Sequence, residues 1–137
     1  EQAEHLFFRA MEVYETAGLQ DGYSYTSVLN NLSLVYQETG ELDKAIYYLE
    51  RALQRIEAQP ERQQELAITY NNLTTLYHAA GDPEKAFHCV QRALQAYEKC
   101  PEAERVHYAA VLNSLAGYLY GQGDWRRALH AALFRRE

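Results

Sequence analysis

Asn30-Asn31-Leu32-x-x-x-Tyr36-x-x-x-Gly40 returns as Asn71-Asn72-Leu73-x-x-x-Tyr77-x-x-x-Gly81, an offset of about 41 residues. Self-similarity at that period marks one supersecondary unit copied along a line, each copy burying its apolar face against its neighbours. The register holds well beyond this stretch. Lys44-Ala45 answers Lys85-Ala86, Arg51-Ala52-Leu53-Gln54 answers Arg92-Ala93-Leu94-Gln95, Glu57 answers Glu98, and Pro60-Glu61 answers Pro101-Glu102. A weaker third copy follows, with Asn113, Leu115, Gly123, Arg127-Ala128 and Leu129 at the places of Asn71, Leu73, Gly81, Lys85-Ala86 and Phe87, and with Ser114 replacing the second asparagine. A half copy opens the chain, where Ala3, Phe7, Arg9-Ala10-Met11 and Glu15 match Ala45, Leu49, Arg51-Ala52-Leu53 and Glu57. The expectation is a single array: the second helix of a truncated repeat over 1–18, repeats over 24–60 and 65–101, and a degenerate or truncated repeat over 104–137. A start in mid-repeat without Met leads us to expect a piece excised from a longer array.

Bulk properties narrow the classes of function. With 47% hydrophobic residues among 137, the chain can bury a substantial core. No run approaches the roughly 18 apolar residues of a membrane span, and no charged-then-apolar leader is present. A net charge of −6 argues against a sequence-independent grip on nucleic acid, which needs a stripe of Lys and Arg. Interspersed acids and bases read as a solvated outer face. Cys89 and Cys100 do not recur in the other copies, so they do not form a framework of staples, and a reduced, cytoplasmic location is expected.

Within each copy the apolar residues fall at helical spacing. Val28, Leu29, Leu32, Val35 and Tyr36 line one stripe, and Leu42, Ala45, Ile46, Leu49, Ala52, Leu53 and Ile56 line the next, which predicts two helices per copy and an all-α fold. Gly40 and Gly81 stand where the first helix must stop, since glycine enters the left-handed conformation without a Cβ penalty. Asp82-Pro83 restarts a helix with an acid to cap and a proline at the first helical position, while Pro60 and Pro101 end the second helix. Ala45 and Ala52, like Ala86 and Ala93, lie seven apart on one helix face, where a short side chain lets a neighbouring helix come close. The leucines and tyrosines between them, Leu32, Tyr36, Leu73 and Tyr77, read as core.

Leu29, Leu32, Ser33, Tyr36 and Gly40, followed by Ala45, Leu49 and Ala52, resemble the signature of the tetratricopeptide repeat. The spacing exceeds that family's usual period of about 34 residues. Leu-Asn-Asn-Leu with Glu-Arg-Ala-Leu is similar to the long-repeat branch typified by kinesin light chain. The resemblance covers essentially the whole chain. It implies a right-handed helical-repeat solenoid of antiparallel helix pairs, in which the first helix of each pair lines a concave groove that holds an extended or helical peptide segment of a partner. By that pattern the groove residues are Ser27, Asn30, Asn31, Leu34 and Gln37, with Glu38 beside them. Ile68, Asn71, Asn72, Thr75 and His78 follow in the next copy, and Ala110, Asn113, Ser114, Gly117 and Tyr120 in the third. Lys and Arg, which clamp a terminal carboxylate in one subtype, are absent from the corresponding positions here, so an internal segment, neutral or basic, is the expected ligand. Arg135 stands where the third copy should have its second alanine.

A side-chain amide offers a donor and an acceptor, as a peptide bond does, so asparagines one repeat apart can hold an extended backbone whatever its side chains. Asn31 and Asn72 are the best candidates for this. Asn30, Asn71 and Asn113 have as an alternative the fastening of neighbouring helices. His78, His88, Cys89, His107 and His130 do not come at metal-ligand spacing, and Gly121-Gln122-Gly123 has no preceding strand to make a phosphate loop. No catalytic constellation and no cofactor are therefore expected. The sequence points to an interaction module that scaffolds a protein or peptide partner, with two alternatives: a peptide-responsive sensor domain of a larger regulatory protein, and an array that associates with itself through its repeat ends. Leu73→Ala should cost about 2–5 kcal/mol in urea unfolding, as truncation of a buried leucine does; a loss below about half a kilocalorie would place Leu73 outside the core.

Overall fold

The computed structural model describes residues 2–100 together with Ala109, Leu112, Asn113 and Ala116. Among the described residues it contains five helices and no strand: α1 Gln2–Thr16, α2 Tyr23–Glu38, α3 Leu42–Glu57, α4 Gln63–Ala79 and α5 Pro83–Glu98. The chain divides into two compact units, Glu1–Arg62 and Gln63–Glu137. In the first, α2 packs against both α1 and α3; in the second, α4 packs against α5. The degenerate copy expected over 104–137 lies almost wholly outside the described residues.

The periodic stripes become the buried faces. In the first unit Val28, Leu29, Leu32 and Tyr36 of α2 meet Ala45, Leu49, Ala52 and Ile56 of α3, all of them buried, while Val35, Leu42, Ile46 and Leu53 are half-buried. Ala45 and Ala52 are 0% exposed, as are Ala86 and Ala93 in the second unit. A methyl group at these places lets the backbones approach, and the approach is close enough for a side chain to reach across. Ser33 Oγ donates to the carbonyl oxygen of Ala45 at 2.8 Å. In α4 the counterpart Thr74 turns its hydroxyl back on its own helix, donating to the Tyr70 carbonyl at 2.9 Å.

The turns repeat one chemistry. Gly40 has φ 83° and Gly81 φ 81°. Glu41 N–H donates to the Tyr36 carbonyl at 2.8 Å and Gly40 N–H to that of Gln37 at 3.2 Å; Asp82 and Gly81 repeat the pattern to Tyr77 at 2.9 Å and His78 at 3.1 Å. These paired bonds satisfy carbonyls that the helix end would otherwise leave open. Gly18, with φ 74°, closes α1 in the same way, Leu19 N–H reaching the Tyr14 carbonyl at 2.8 Å. Asp82 caps α5 by accepting from the Lys85 N–H at 3.2 Å, and Pro83 follows as the first helical residue.

A Cβ added at Gly40 or Gly81 would meet nothing within 4 Å, so the cost of a side chain there is that of the left-handed backbone alone. Gly40→Ala and Gly81→Ala should each lower the urea unfolding free energy by about 1–2 kcal/mol, with Gly40→Asn recovering part of the loss.

Candidate functional site

Packing one face of α2 onto α3 leaves the opposite face for solvent, and the residues expected to meet a ligand fall there. Ser27, Leu34, Gln37 and Glu38 are exposed, and Asn30 and Asn31 are half-buried. Leu34 is 54% exposed, a large apolar side chain in the middle of an otherwise polar face. In the second unit α4 repeats the arrangement: Asn72, Thr75 and His78 are exposed, Ile68 and Asn71 half-buried. Asn113 is helical and exposed. Ser114 and Tyr120, with Ala110 and Gly117, lie outside the described residues.

The two asparagines of α2 differ in kind. Asn30 Oδ1 is sealed from solvent and has no hydrogen-bond partner. A buried acceptor left unpaired costs about 1–3 kcal/mol, and a ligand would have to displace its cover to reach it. Asn31 carries no such restriction. Asn72, the counterpart of Asn31 in α4, is exposed.

A set of long side chains that the repeat pattern did not reveal fixes α2 in place. Tyr25 donates from its hydroxyl to Glu15 at 2.6 Å and accepts from Arg51 Nη2 at 3.0 Å, while Arg51 and Glu15 stand 3.7 Å apart, so one cluster ties α1, α2 and α3. Toward the other end of α2, Tyr36 donates to Glu4 of α1 and stacks on Tyr48 with ring centroids 5.7 Å apart. Arg62, 3% exposed, donates to the Asp21 carbonyl at 2.9 Å and to Thr26 Oγ1 at 2.8 Å, and its guanidinium lies 4.3 Å from the Tyr23 ring centroid. Arg55 pairs with Asp21 at 3.2 Å. The start of α2 is thereby locked to the chain that follows α3. No periodicity announces these residues, because their partners sit in other helices and loops; the only signal is charge placed beside tyrosine.

The cluster shifts proton affinities. Burial first, and then the bond to Glu4, hold the Tyr36 phenol well above the ordinary tyrosine value; burial and Glu15 raise Tyr25 in the same direction. The Tyr36 hydroxyl in turn lowers Glu4. Among the described residues no group of His, Cys, Asp and Glu could hold a metal ion, and no helix is long and apolar enough to cross a membrane. Cys89 is buried, Cys100 half-buried, and neither is in a disulfide.

Comparison with known proteins agrees with this architecture. A family model described as "Tetratricopeptide repeat" matches residues 24–99 and again 65–132. No curated protein matches the chain. Among solved structures, BtubC (BKLC) from P. vanneervenii superposes with a TM-score of 0.84 at 22% identity, over 97% of this chain and 53% of that one. A putative kinesin light chain of Podosopora anserina with nearly identical TPR-like repeats superposes with a TM-score of 0.74 at 19% identity, over 95% of this chain and 62% of that one. At these identities the likeness is one of fold, an all-α helical-repeat solenoid of the kinesin-light-chain-like type, and the chain spans just over half the length of the first of them.

The raised tyrosines predict an alkaline limit. A phenol whose affinity for its proton is higher in the folded state contributes stability that is whole below the unfolded value of about 10 and is lost as pH rises toward the folded value. The melting temperature should fall above pH about 10, and Tyr36→Phe should start lower yet decline less over the same range. Glu4 has the opposite sign, its contribution fading as pH falls below the carboxylate range.

Proposed function

We propose, since the chain belongs to the tetratricopeptide repeat family, that it is a non-catalytic interaction module whose first-helix faces hold an extended segment of a partner protein. The family fold is that of a protein–protein interaction scaffold. The finer reading is supported by one observation: α2 and α4 each turn a mostly polar, accessible face away from their packed partner, and equivalent positions on the two faces carry an asparagine, Asn31 and Asn72. An amide side chain can give and take one hydrogen bond each with a passing peptide group, at a net gain of about 0.5–1.5 kcal/mol per bond. Such bonds hold a backbone without reading it, so selection falls to the neighbours: Leu34 offers contact to an apolar side chain, and Glu38 favours a base over an acid. Ser27, Gln37, Ile68, Thr75 and His78 complete these faces, with Asn30 and Asn71 as half-buried members; the repeat pattern adds Asn113, which is exposed, and Ser114 and Tyr120, which lie outside the described residues.

The sensor reading, in which a bound segment alters the array and an attached domain responds, uses the same face and differs in the protein's remaining domains. A cytoplasmic location belongs to this proposal as well. The test is a capture from lysate of the source cell with the native chain beside an Asn31→Ala, Asn72→Ala version of matched melting temperature. We expect a partner retained by the first and lost by the second, and competed by a synthetic peptide from that partner. A partner retained equally by both would place binding elsewhere on the array.

A further inference from the structure

Two exposed residues of α2 stand apart from what the repeat duplicates. Tyr23 is 63% and Leu34 54% exposed. Eleven residues make almost three full turns, so the two hold nearly the same position around the helix, about 16 Å apart along it, with Ser27 and Asn31 between them. Asn30-Asn31 recurs on α4 as Asn71-Asn72, whereas the counterparts of Tyr23 and Leu34 are Gln64 and Thr75, both exposed and polar, and Ala79 replaces Glu38. A feature present in both copies is read alike by both; the residues that differ are the ones able to tell partners apart. The setting of Tyr23 is also fixed for so open a side chain. The guanidinium of the buried Arg62 lies 4.3 Å from its ring centroid and donates to the Asp21 carbonyl at 2.9 Å. That carbonyl accepts again from Gln59 Nε2 at 2.6 Å, and Arg55 holds the Asp21 carboxylate at 3.2 Å. Three side chains from the end of α3 and the chain after it thus converge on the turn that carries Tyr23. A tyrosine has few torsions to lose, and one already held in place loses less when a ligand covers it.

We infer that Tyr23 and Leu34 are paired anchors that select, on the α2 face, an extended segment carrying two apolar side chains about five residues apart, with a lysine or arginine beyond the one that meets Leu34. The inference rests on the proposed binding of an extended segment to this face, and adds the sequence chemistry that the segment must have. The spacing follows from an advance of roughly 3.3 Å per residue in an extended chain, set against the separation of about 16 Å between the anchors. The base follows from charge. No lysine or arginine occurs in α2, and Glu38, exposed in its last turn, adds to the negative end of the helix dipole. Glu38 lies four residues past Leu34 and on the same side of the helix, so the attraction falls outside the Leu34 anchor and not between the two. The amide of Asn31 stands between the anchors, where the backbone of the segment would pass.

The test pans the chain against a phage-displayed library of random linear peptides. We expect the enriched sequences to share two apolar positions about five apart with a base outside one of them. A synthetic peptide of that consensus should bind about tenfold more weakly to Tyr23→Ala and to Leu34→Ala, each variant melting within about 2 °C of the native chain. Tyr23→Gln, which imports the residue of α4, should weaken binding as Tyr23→Ala does and serves if the alanine variant is unstable; Tyr23→Phe should bind as the native chain. Changing the peptide's apolar residue beside the base to alanine should have little further effect on Leu34→Ala, and changing the other little further effect on Tyr23→Ala, which assigns each side chain to its anchor. Glu38→Gln should remove the preference for the base. Peptides weakened by Leu34→Ala and Asn31→Ala but bound undiminished by both Tyr23 variants would overturn the inference and leave the proposed face standing, as would a consensus rich in aspartate and glutamate. Peptides indifferent to all of these changes, or no enrichment at all, would overturn both.

Discussion

The close approach of paired helices across alanine is the constraint from which the rest follows. Ala45 and Ala52 are fully buried under α2, and Ala86 and Ala93 under α4, and in the first pair the approach is near enough for Ser33 to reach the carbonyl of Ala45. A larger residue at any of the four would push the pair apart, at about 1–3 kcal/mol for overpacking of this kind. The close pairing uses one stripe of each first helix completely. That is what frees the opposite stripe, where the side chains of Ser27, Gln37 and Asn72 are exposed and that of Asn31 half-buried.

Rigidity of that free face is supplied separately. Glu15, Tyr25 and Arg51 join three helices, Tyr36 and Glu4 join two, and Arg62 secures the start of α2 through Asp21, Thr26 and Tyr23. A side-chain amide that holds a peptide backbone contributes little per bond, so its value rests on being in place before the ligand arrives. The tyrosines carry this task with a polar tip on an apolar body, which lets one side chain both fill the core and fix a neighbour. The raised proton affinity of Tyr25 and Tyr36 is the electrostatic trace of that arrangement.

The sequence was informative wherever structure is periodic or local. Two helices per copy, the turns at Gly40 and Gly81, the Asp82-Pro83 start and the alanine face could all be read from spacing, because each depends on residues within a few positions of one another. The all-α repeat fold follows from these. The clasp by Arg62 could not be read, since it joins residues some forty positions apart and has no counterpart in the other copies. The turn at Gly18 is local but has no counterpart in the other copies, where Pro60 and Pro101 stand after the second helix. On the face proposed to bind a partner the sequence already favoured Asn31 and Asn72 over Asn30 and Asn71; that the Asn30 oxygen is sealed depends on tertiary packing, which the repeat pattern does not carry. What the face holds is a matter of surface chemistry, which a repeat pattern selected by packing does not encode.

The central claim is that a partner meets the face of α2 turned away from α3. The most direct measurement replaces Leu34, on that face, or Tyr47, exposed on α3, with a photoreactive phenylalanine and irradiates each chain in cell lysate. A discrete crosslinked partner is expected from position 34, absent from position 47 and lost on adding excess unlabelled chain. The same partner captured from position 47 and not from 34 would contradict it.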